Sequence, residues 1–134
     1  MTLITHENFI GEYEYVKDEG IFFGKIANIT DLVTFESCEP ANMEREFRLA
    51  IEDYESLCDE VDKPCQPDPI AHIKLIMKIR GLKQKDMVGI IGDKTMVSKV
   101  LNRKRKLTLE AIRNLESAYG IPFKIIAQDY KLKP

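Results

Sequence analysis

Cysteine and histidine are scarce in this chain of 134 residues. The three cysteines, Cys38, Cys58 and Cys65, are odd in number and form no C-x-x-C pair, and only His6 and His72 could join them as metal ligands. A disulfide framework or a zinc site needs more of these residues at closer spacings, so unpaired, partly buried thiols are the better interpretation. Each histidine is expected to be a satisfied core or solvent-facing side chain, and no metal and no cofactor is expected.

Long hydrophobic runs are also missing, and the longest are only a few residues, such as GIIG at 89–92. A membrane span needs about 20 apolar residues, so no membrane partner is expected. Residues 1–10 contain no basic stretch followed by an apolar one, which argues against a secretory signal. These absences favour a cytoplasmic protein.

Charge is present in abundance but is unevenly distributed. The net charge of −2 combines a first half, 1–66, with 16 Asp/Glu and 5 Lys/Arg, and a second half, 67–134, with 6 Asp/Glu and 15 Lys/Arg. A net −11 in one half and +9 in the other predict two units with different partners. The basic half suits a polyanion such as nucleic acid, and the acidic half suits a basic protein or serves only solubility.

A proline-rich stretch marks the boundary between these units. Three of the six prolines stand within 64–69, where the sign of the charge changes. Proline removes a backbone donor and disfavours helix in the residue before it, so a helix arriving from the N-terminal side should end there. The predicted domains are an acidic α+β domain, 1–65, and a basic helical domain, 66–134.

Strands followed by one helix are predicted for the acidic half. Tyrosine and glutamate alternate within 9–16, which is typical of a strand with one wet face, and 17–20 suits a hairpin turn. Further strands are predicted at 21–26 and 32–35. A helix beginning at Pro40 carries an apolar stripe at spacings of three and four, whose members are Met43, Phe47, Ala50, Ile51, Tyr54, Leu57, Cys58 and Val61. A sheet covered by one helix is a two-layer α+β unit.

Only helices are predicted for the basic half. Their ranges are 70–80, 84–91, 94–101, 109–119 and a short one after Pro122. Gly81 and Gly120 suit helix ends, and Asp93 and Thr108 suit N-caps. The second and third helices, joined at Gly92, form a helix-turn-helix arrangement, with Gly92 expected to adopt a positive φ.

In this motif the second of the two helices enters the major groove of DNA. Its core-facing residues are apolar, and the residues left for the outside are Lys94, Thr95, Met96, Ser98, Lys99 and Asn102. Lysines can reach guanine acceptors or phosphates, and threonine or methionine can touch thymine methyl groups. Gln84, at the start of the preceding helix, is expected beside a phosphate.

A basic loop follows the expected recognition helix. Arg103, Lys104, Arg105 and Lys106 are expected to lie over the DNA backbone. The alternative is a solvated basic face, and short helices around a glycine also occur in many bundles. Capped helices, the glycine, the outward polar set and the positive charge together favour DNA binding.

Several strings in 69–127 resemble the XRE-type helix-turn-helix of HigA-type antitoxins. They are GLKQKDM at 81–87, IG at 91–92, VSKVLN at 97–102, KRKLTL at 104–109 and GIP at 120–122. Arg103 departs from this pattern, which usually has glycine there, and is expected to add a charge facing the DNA. The resemblance implies an antitoxin that also represses its own operon.

The acidic half resembles HicB-type antitoxins over about 9–62. The strings concerned are FIGEYEY at 9–15, FFGKI at 22–26, ITDLVTFE at 29–36 and AIEDY at 50–54. The resemblance implies a partial RNase H-like fold that blocks a small ribonuclease toxin, although its usual last strand is not evident before the prolines.

Four acidic side chains are the expected contacts for a basic toxin, namely Glu12, Glu14, Glu46 and Asp53. Surface solubility explains the charge equally well. Carboxylates on strands can also hold Mg²⁺ in nucleases, with Glu12, Glu14 and Asp31 as candidates, but no supporting His, Lys or Ser arrangement is evident. The chain is therefore expected not to be an enzyme.

These inferences converge on a two-domain antitoxin of a type II toxin–antitoxin module. The first domain would neutralise an mRNA endoribonuclease, HicA-like in preference to HigB-like. The second would bind operator DNA as a homodimer or higher oligomer. The alternative is a stand-alone helix-turn-helix regulator whose acidic domain senses a ligand or mediates oligomerisation.

Overall fold

The chain divides into two compact units, Met1–Pro67 and Asp68–Pro134. The structure, a computed structural model, describes residues 2–61 and 66–133. Cys65 and the start of the predicted proline-rich boundary lie outside the described residues. The architecture is α+β, as predicted, with a sheet and a helix in the first unit and helices in the second.

The sheet of the first unit is a four-stranded antiparallel meander. Its strands are β1 (Thr2–His6), β2 (Phe9–Val16), β3 (Ile21–Ile26) and β4 (Thr34–Ser37), and each pairs with the next in chain order. The hairpin predicted at 17–20 is present, and the Gly20 amide donates to the Val16 carbonyl at 2.8 Å. Short connections between sequential strands leave β1 and β4 as the two edges.

Two predictions for this sheet were wrong. The first residues of the chain, for which no strand was predicted, form β1, in which His6 pairs with Phe9. Buried Asn28 supports this hairpin, because its side chain accepts from the Ile10 amide and donates to the Asn8 carbonyl, both at 3.0 Å. The strand predicted at 32–35 begins two residues later, and Leu32 is exposed.

One long helix covers one face of the sheet. A 3₁₀ turn at Pro40–Asn42 leads into α1 (Met43–Glu60), whose apolar stripe packs on Phe9, Ile26, Ile29 and Phe35. Leu57 and Val61 were expected in this core but are 58% and 67% exposed. Both fit the spacing of the stripe, but Leu57 lies at the margin of the buried face and Val61 follows the end of α1.

The second unit contains four α-helices and a 3₁₀ turn. They are α2 (Pro69–Arg80), a 3₁₀ helix (Gln84–Met87), α3 (Lys94–Leu101), α4 (Leu109–Tyr119) and α5 (Phe123–Ile126). Asp93 and Thr108 cap α3 and α4 as predicted, accepting from the Met96 and Ala111 amides. Gly81 and Gly120 end α2 and α4 in the left-handed conformation.

The helix predicted at 84–91 does not form. Only Gln84–Met87 is helical, as a 3₁₀ turn, after which Val88 is extended and Gly89 has a φ of 87°. The positive φ therefore falls on Gly89 and not on Gly92. Gly92 is required for another reason, because a Cβ there would lie 2.7 Å from Cγ of Met96. A glycine within such a short segment weakens helix and favours a turn.

All the longer helices of the second unit and the 3₁₀ turn contribute to one core. Its most buried members are Ile70, Ile73, Met87, Val97, Val100, Leu115, Ile121 and Ile126. Among the described residues, no helix is both long and apolar enough to cross a bilayer.

Candidate functional site

Helix α3 presents its polar face outwards because its other face is locked into the core. Val97, Val100 and Leu101 are at most 4% exposed. The Asp93 side chain accepts from the Met96 amide at 2.8 Å, which fixes where the helix begins. Helical spacing places Thr95 and Lys99 opposite the buried stripe.

Seven of the ten expected DNA-binding residues are exposed. They are Gln84, Lys94, Thr95, Lys99, Asn102, Lys104 and Arg105, whereas Met96, Ser98 and Arg103 are partly buried. Met96 packs against the core beside Gly92, so little of it is left for a thymine methyl group. The side-chain amide of Asn102 donates to the Ser98 carbonyl at 2.8 Å, closing the end of α3.

The turn before α3 is hydrogen-bonded to a side chain of α4. The side-chain amide of Asn114 donates to the Ile90 carbonyl at 3.1 Å. Gln84 is exposed at the start of the 3₁₀ turn, where the Lys83 amide donates to the Asp86 carboxylate at 2.8 Å. The α-helix that was expected to begin beside Gln84 is therefore a four-residue 3₁₀ turn.

Arg103 does not have the orientation that was expected of it. Its φ of 60° is the left-handed conformation, which favours glycine. Its guanidinium, however, makes a two-point contact with Asp68, at 3.1 and 2.6 Å, and both side chains are less than one-fifth exposed. Because Asp68 also accepts from the Ala71 amide, Arg103 holds the start of α2 and adds no charge to the outer surface.

Lys106 also contacts residues of its own unit. Its ammonium donates to the Asp129 carboxylate and the Tyr130 carbonyl, and it lies 4.9 Å from the centre of the Tyr130 ring. The hydrogen bond and charge of Lys106 lower the pKa of Asp129. The basic cluster 103–106 is therefore divided, because Arg103 and the still exposed Lys106 contact carboxylates of their own unit, whereas Lys104 and Arg105 are exposed and contact no carboxylate among the described residues.

Sequence reasoning missed the residues that hold this loop, Asp68, Asp129 and Tyr130. A signal existed for Asp68, because aspartate before proline is typical of an N-cap followed by the first helical position. No local pattern marks Asp129 or Tyr130, whose contacts join residues more than twenty positions apart in sequence.

The acidic residues of the first unit lie on different surfaces. Gly11 and Phe9 face α1, so the alternation of β2 places Glu12 and Glu14 on the outer sheet face. There they border a shallow pocket with Phe23. Glu12 is only 11% exposed and lies 4.0 Å from the Lys25 ammonium, so its charge is partly neutralised.

Glu46 and Asp53 lie on α1, on the opposite side of the two-layer unit. With Leu49, Leu57 and Glu60 they recur at helical spacings of three and four, and we call these five residues the α1 flank. Leu49 and Leu57 are 43% and 58% exposed. The α1 flank thus combines accessible apolar side chains with three carboxylates.

The carboxylates considered for catalysis are not brought together. Asp31, in the loop before β4, accepts from the Tyr54 hydroxyl of α1 at 3.1 Å, whereas Glu12 and Glu14 are on the outer sheet face. Burial, with Cys58 and Asp31 alongside, raises the pKa of Tyr54. Within 2–61 and 66–133, no group of three or more His, Cys, Asp or Glu side chains is arranged to hold a metal ion.

The cysteines and histidines take ordinary positions. Cys38 is exposed and Cys58 is buried, both as free thiols. His6 lies 3.8 Å from Glu7, and His72 is 4% exposed, so that burial lowers its pKa.

Over 55 residues this chain is similar to known antitoxins. The relatives are proteins called antitoxin HigA from Escherichia coli K12, Escherichia coli O6:H1 and Shigella flexneri, each 47% identical to the chain. The matched segment covers 41% of this chain and 39% of each relative, so the chain spans about two fifths of the length of these relatives. No protein-family model matches the chain. No solved structure matches it either.

Proposed function

We propose that this chain is an antitoxin that binds operator DNA through its second unit and a ribonuclease toxin through its first. The observation that carries the proposal is the 47% identity to antitoxin HigA over 55 residues. The exposed cations of α3 and of the loop after it support the DNA part. The acidic, partly apolar α1 flank supports the toxin part.

The DNA-binding segment is proposed to act as a helix-turn-helix with a short first element. The 3₁₀ turn Gln84–Met87 replaces the first helix, and α3 enters the major groove. Lys94 and Lys99 would reach guanine acceptors or phosphates, and Thr95 a thymine methyl group. Lys104 and Arg105 would contact the backbone beside the groove.

A homodimer is the proposed DNA-binding form. Two copies of α3 would read half-sites about 34–36 Å apart, which corresponds to one turn of the duplex. Moving the two half-sites apart by about five base pairs, half a helical turn, places them on opposite sides of the duplex. Such an operator should lose most of its affinity if the dimer proposal is correct.

The DNA proposal is tested by titrating a labelled upstream promoter fragment with the full chain across a salt series. The double variant Lys94→Ala, Lys99→Ala should weaken binding and lower the slope of log affinity against log salt by about 2, because each neutralised phosphate accounts for roughly 0.9 of that slope. The double variant Lys74→Ala, Lys124→Ala is the matched control, since both lysines are exposed cations, on α2 and α5. Equal binding by the double variant and the wild type would exclude α3 as the recognition helix.

The toxin contact is proposed to lie on the α1 flank rather than on the outer sheet face. Glu12 on the sheet is paired with Lys25, whereas Asp53 on α1 is exposed between Leu49 and Leu57. A basic ribonuclease with apolar side chains would match this surface, because complementary charge speeds association and apolar contact stabilises the complex.

Co-expression with a HicA-like and with a HigB-like toxin, followed by pull-down, tests this contact. Asp53→Lys should weaken capture of the cognate toxin, while Glu14→Lys, an equal charge change on the other face, should not. Capture of neither toxin by the wild type would disprove toxin binding. A stronger effect of Glu14→Lys would move the contact to the sheet.

A further inference from the structure

The basic loop between α3 and α4, residues 102–106, is held by the C-terminal segment, residues 128–133. The Tyr130 hydroxyl donates to the Arg105 carbonyl at 2.6 Å, and the Lys133 amide donates to the Arg103 carbonyl at 2.8 Å. Lys106 donates to the Asp129 carboxylate and to the Tyr130 carbonyl. The C-terminal segment thus binds the loop at the backbone of Arg103 and Arg105 and at the side chain of Lys106.

The segment that holds the loop is itself anchored in the core of the second unit through Tyr130. Tyr130 is 7% exposed and belongs to the core of the second unit. Residues 128–133 form neither helix nor strand, so no regular backbone pattern orders them. The buried ring therefore gives the segment a fixed position from which its hydroxyl reaches the loop.

These contacts separate the loop's cations into two kinds. Arg103 and Lys106 are held by Asp68 and by the C-terminal segment. The side chains of Lys104 and Arg105 are exposed, while the Arg105 carbonyl accepts from Tyr130 and the Lys104 amide donates to the Lys99 carbonyl. A loop ordered before binding loses less conformational entropy when it meets DNA, which raises affinity without any additional contact.

We propose that the C-terminal segment positions Lys104 and Arg105 for the DNA backbone, with Tyr130 as a positioning residue that does not itself touch DNA. The inference rests on the proposed DNA binding of the second unit. It assigns to the last residues of the chain a role in DNA affinity, and it excludes Arg103 and Lys106 from the phosphate-contacting set.

A double-mutant cycle on the full chain tests the proposal. Tyr130→Phe removes one hydroxyl and keeps the buried ring, and it should weaken DNA binding about 2- to 12-fold, the equivalent of one net hydrogen bond. Lys104→Ala should lower the salt slope by about 1. In the Tyr130→Phe background, Lys104→Ala should have a smaller effect on both affinity and slope, because the lysine is no longer positioned. Tyr119→Phe is the matched control for removal of a tyrosine hydroxyl.

Asp129→Asn provides a second test that does not depend on the core, because the Asp129 side chain is 90% exposed. Removing a negative charge near a DNA-binding surface ordinarily raises affinity. If Asp129 positions the loop through Lys106, the variant should instead bind more weakly. Circular dichroism should show wild-type helix content for every variant.

The outcomes separate the inference from the proposal beneath it. Wild-type protein without salt-dependent DNA binding would overturn the proposed function, and the inference with it. If the wild type binds DNA in a salt-dependent way and Tyr130→Phe binds DNA with the same affinity, the inference alone would be overturned. Independent, additive effects of Tyr130→Phe and Lys104→Ala, or tighter binding by Asp129→Asn, would also overturn the inference, because the segment would then have no positioning role.

Discussion

The contact between Asp68 and Arg103 allows a prediction about stability that can be worked out from geometry. Asp68 caps α2 through the Ala71 amide and also makes a charged two-point contact with Arg103. Loss of an N-cap costs about 1 kcal/mol. Loss of a hydrogen bond to a charged group costs about 1.5–3 kcal/mol. The side chains are 15% and 17% exposed, so solvent screens the pair only partly. Asp68→Ala should therefore destabilise the second unit by about 3 kcal/mol.

Two substitutions at Arg103 separate the ion pair from the backbone strain. Arg103→Ala removes the pair and keeps a side chain in the left-handed conformation at a φ of 60°. Arg103→Gly removes the same pair but relieves about 1 kcal/mol of strain. We expect Arg103→Ala to cost about 2 kcal/mol and Arg103→Gly about 1 kcal/mol. Asp68→Ser, which keeps a capping oxygen, should fall between Asp68→Ala and wild type.

The assay must report on the second unit by itself. The chain has no tryptophan, and two units with separate cores need not unfold in one step. Urea unfolding monitored by the NMR signals of the backbone amides of α2 and α3 meets this requirement. An Arg103→Gly variant no more stable than Arg103→Ala would refute the strain argument. An Asp68→Ala variant within about 0.5 kcal/mol of wild type, the spread of neutral surface substitutions, would refute the role assigned to the ion pair.

Three further predictions concern pH and packing. Burial lowers the pKa of His72 below 6.5, so the unfolded chain binds a proton at a higher pH than the folded chain does. The second unit should therefore lose stability as the pH falls below about 6.5. In urea unfolding measured at about pH 5.5–7.5, His72→Gln should remove this dependence of stability on pH. Burial and neighbouring carboxylates raise the pKa of Glu55, so its charged form destabilises the folded first unit. Glu55→Gln should therefore stabilise that unit at about pH 7 but not at about pH 3. A stabilisation by Glu55→Gln that is the same at both pH values would contradict this prediction. A Cβ on Gly24 would lie 2.5 Å from the Glu12 carbonyl oxygen, so Gly24→Ala should destabilise the first unit by about 1–3 kcal/mol. Gly20→Asn, in a left-handed turn, should destabilise it by less than about 0.5 kcal/mol, and thermal melting measures both variants.

Local sequence patterns predicted most of the secondary structure, but they failed where a glycine or a partner distant in sequence determines the local conformation. The apolar stripe of α1 predicted its buried face through Cys58, because residues three and four apart share one side of a helix. The same periodicity does not show where the sheet ends, and so it misassigned Leu57. The stretch 84–91 has the apolar spacing of a helix, but Gly89 takes a positive φ and the segment becomes a turn. β1 was missed because its evidence lies in pairing with β2 and in the buried contacts of Asn28.

The sequence by itself determined the fold class, the caps of α3 and α4 and the concentration of positive charge in the second half. These features depend on neighbours within about four positions or on composition alone, so the order of the residues contains them. Only the tertiary structure decided which cations of the basic loop are paired with carboxylates of the same unit. Arg103, Lys104, Arg105 and Lys106 look equivalent in sequence, yet Arg103 turns to a carboxylate 35 positions away and Lys106 to one 23 positions away. A long side chain in a loop is oriented by whichever partner the fold brings within reach, and that partner is set by the packing of other elements.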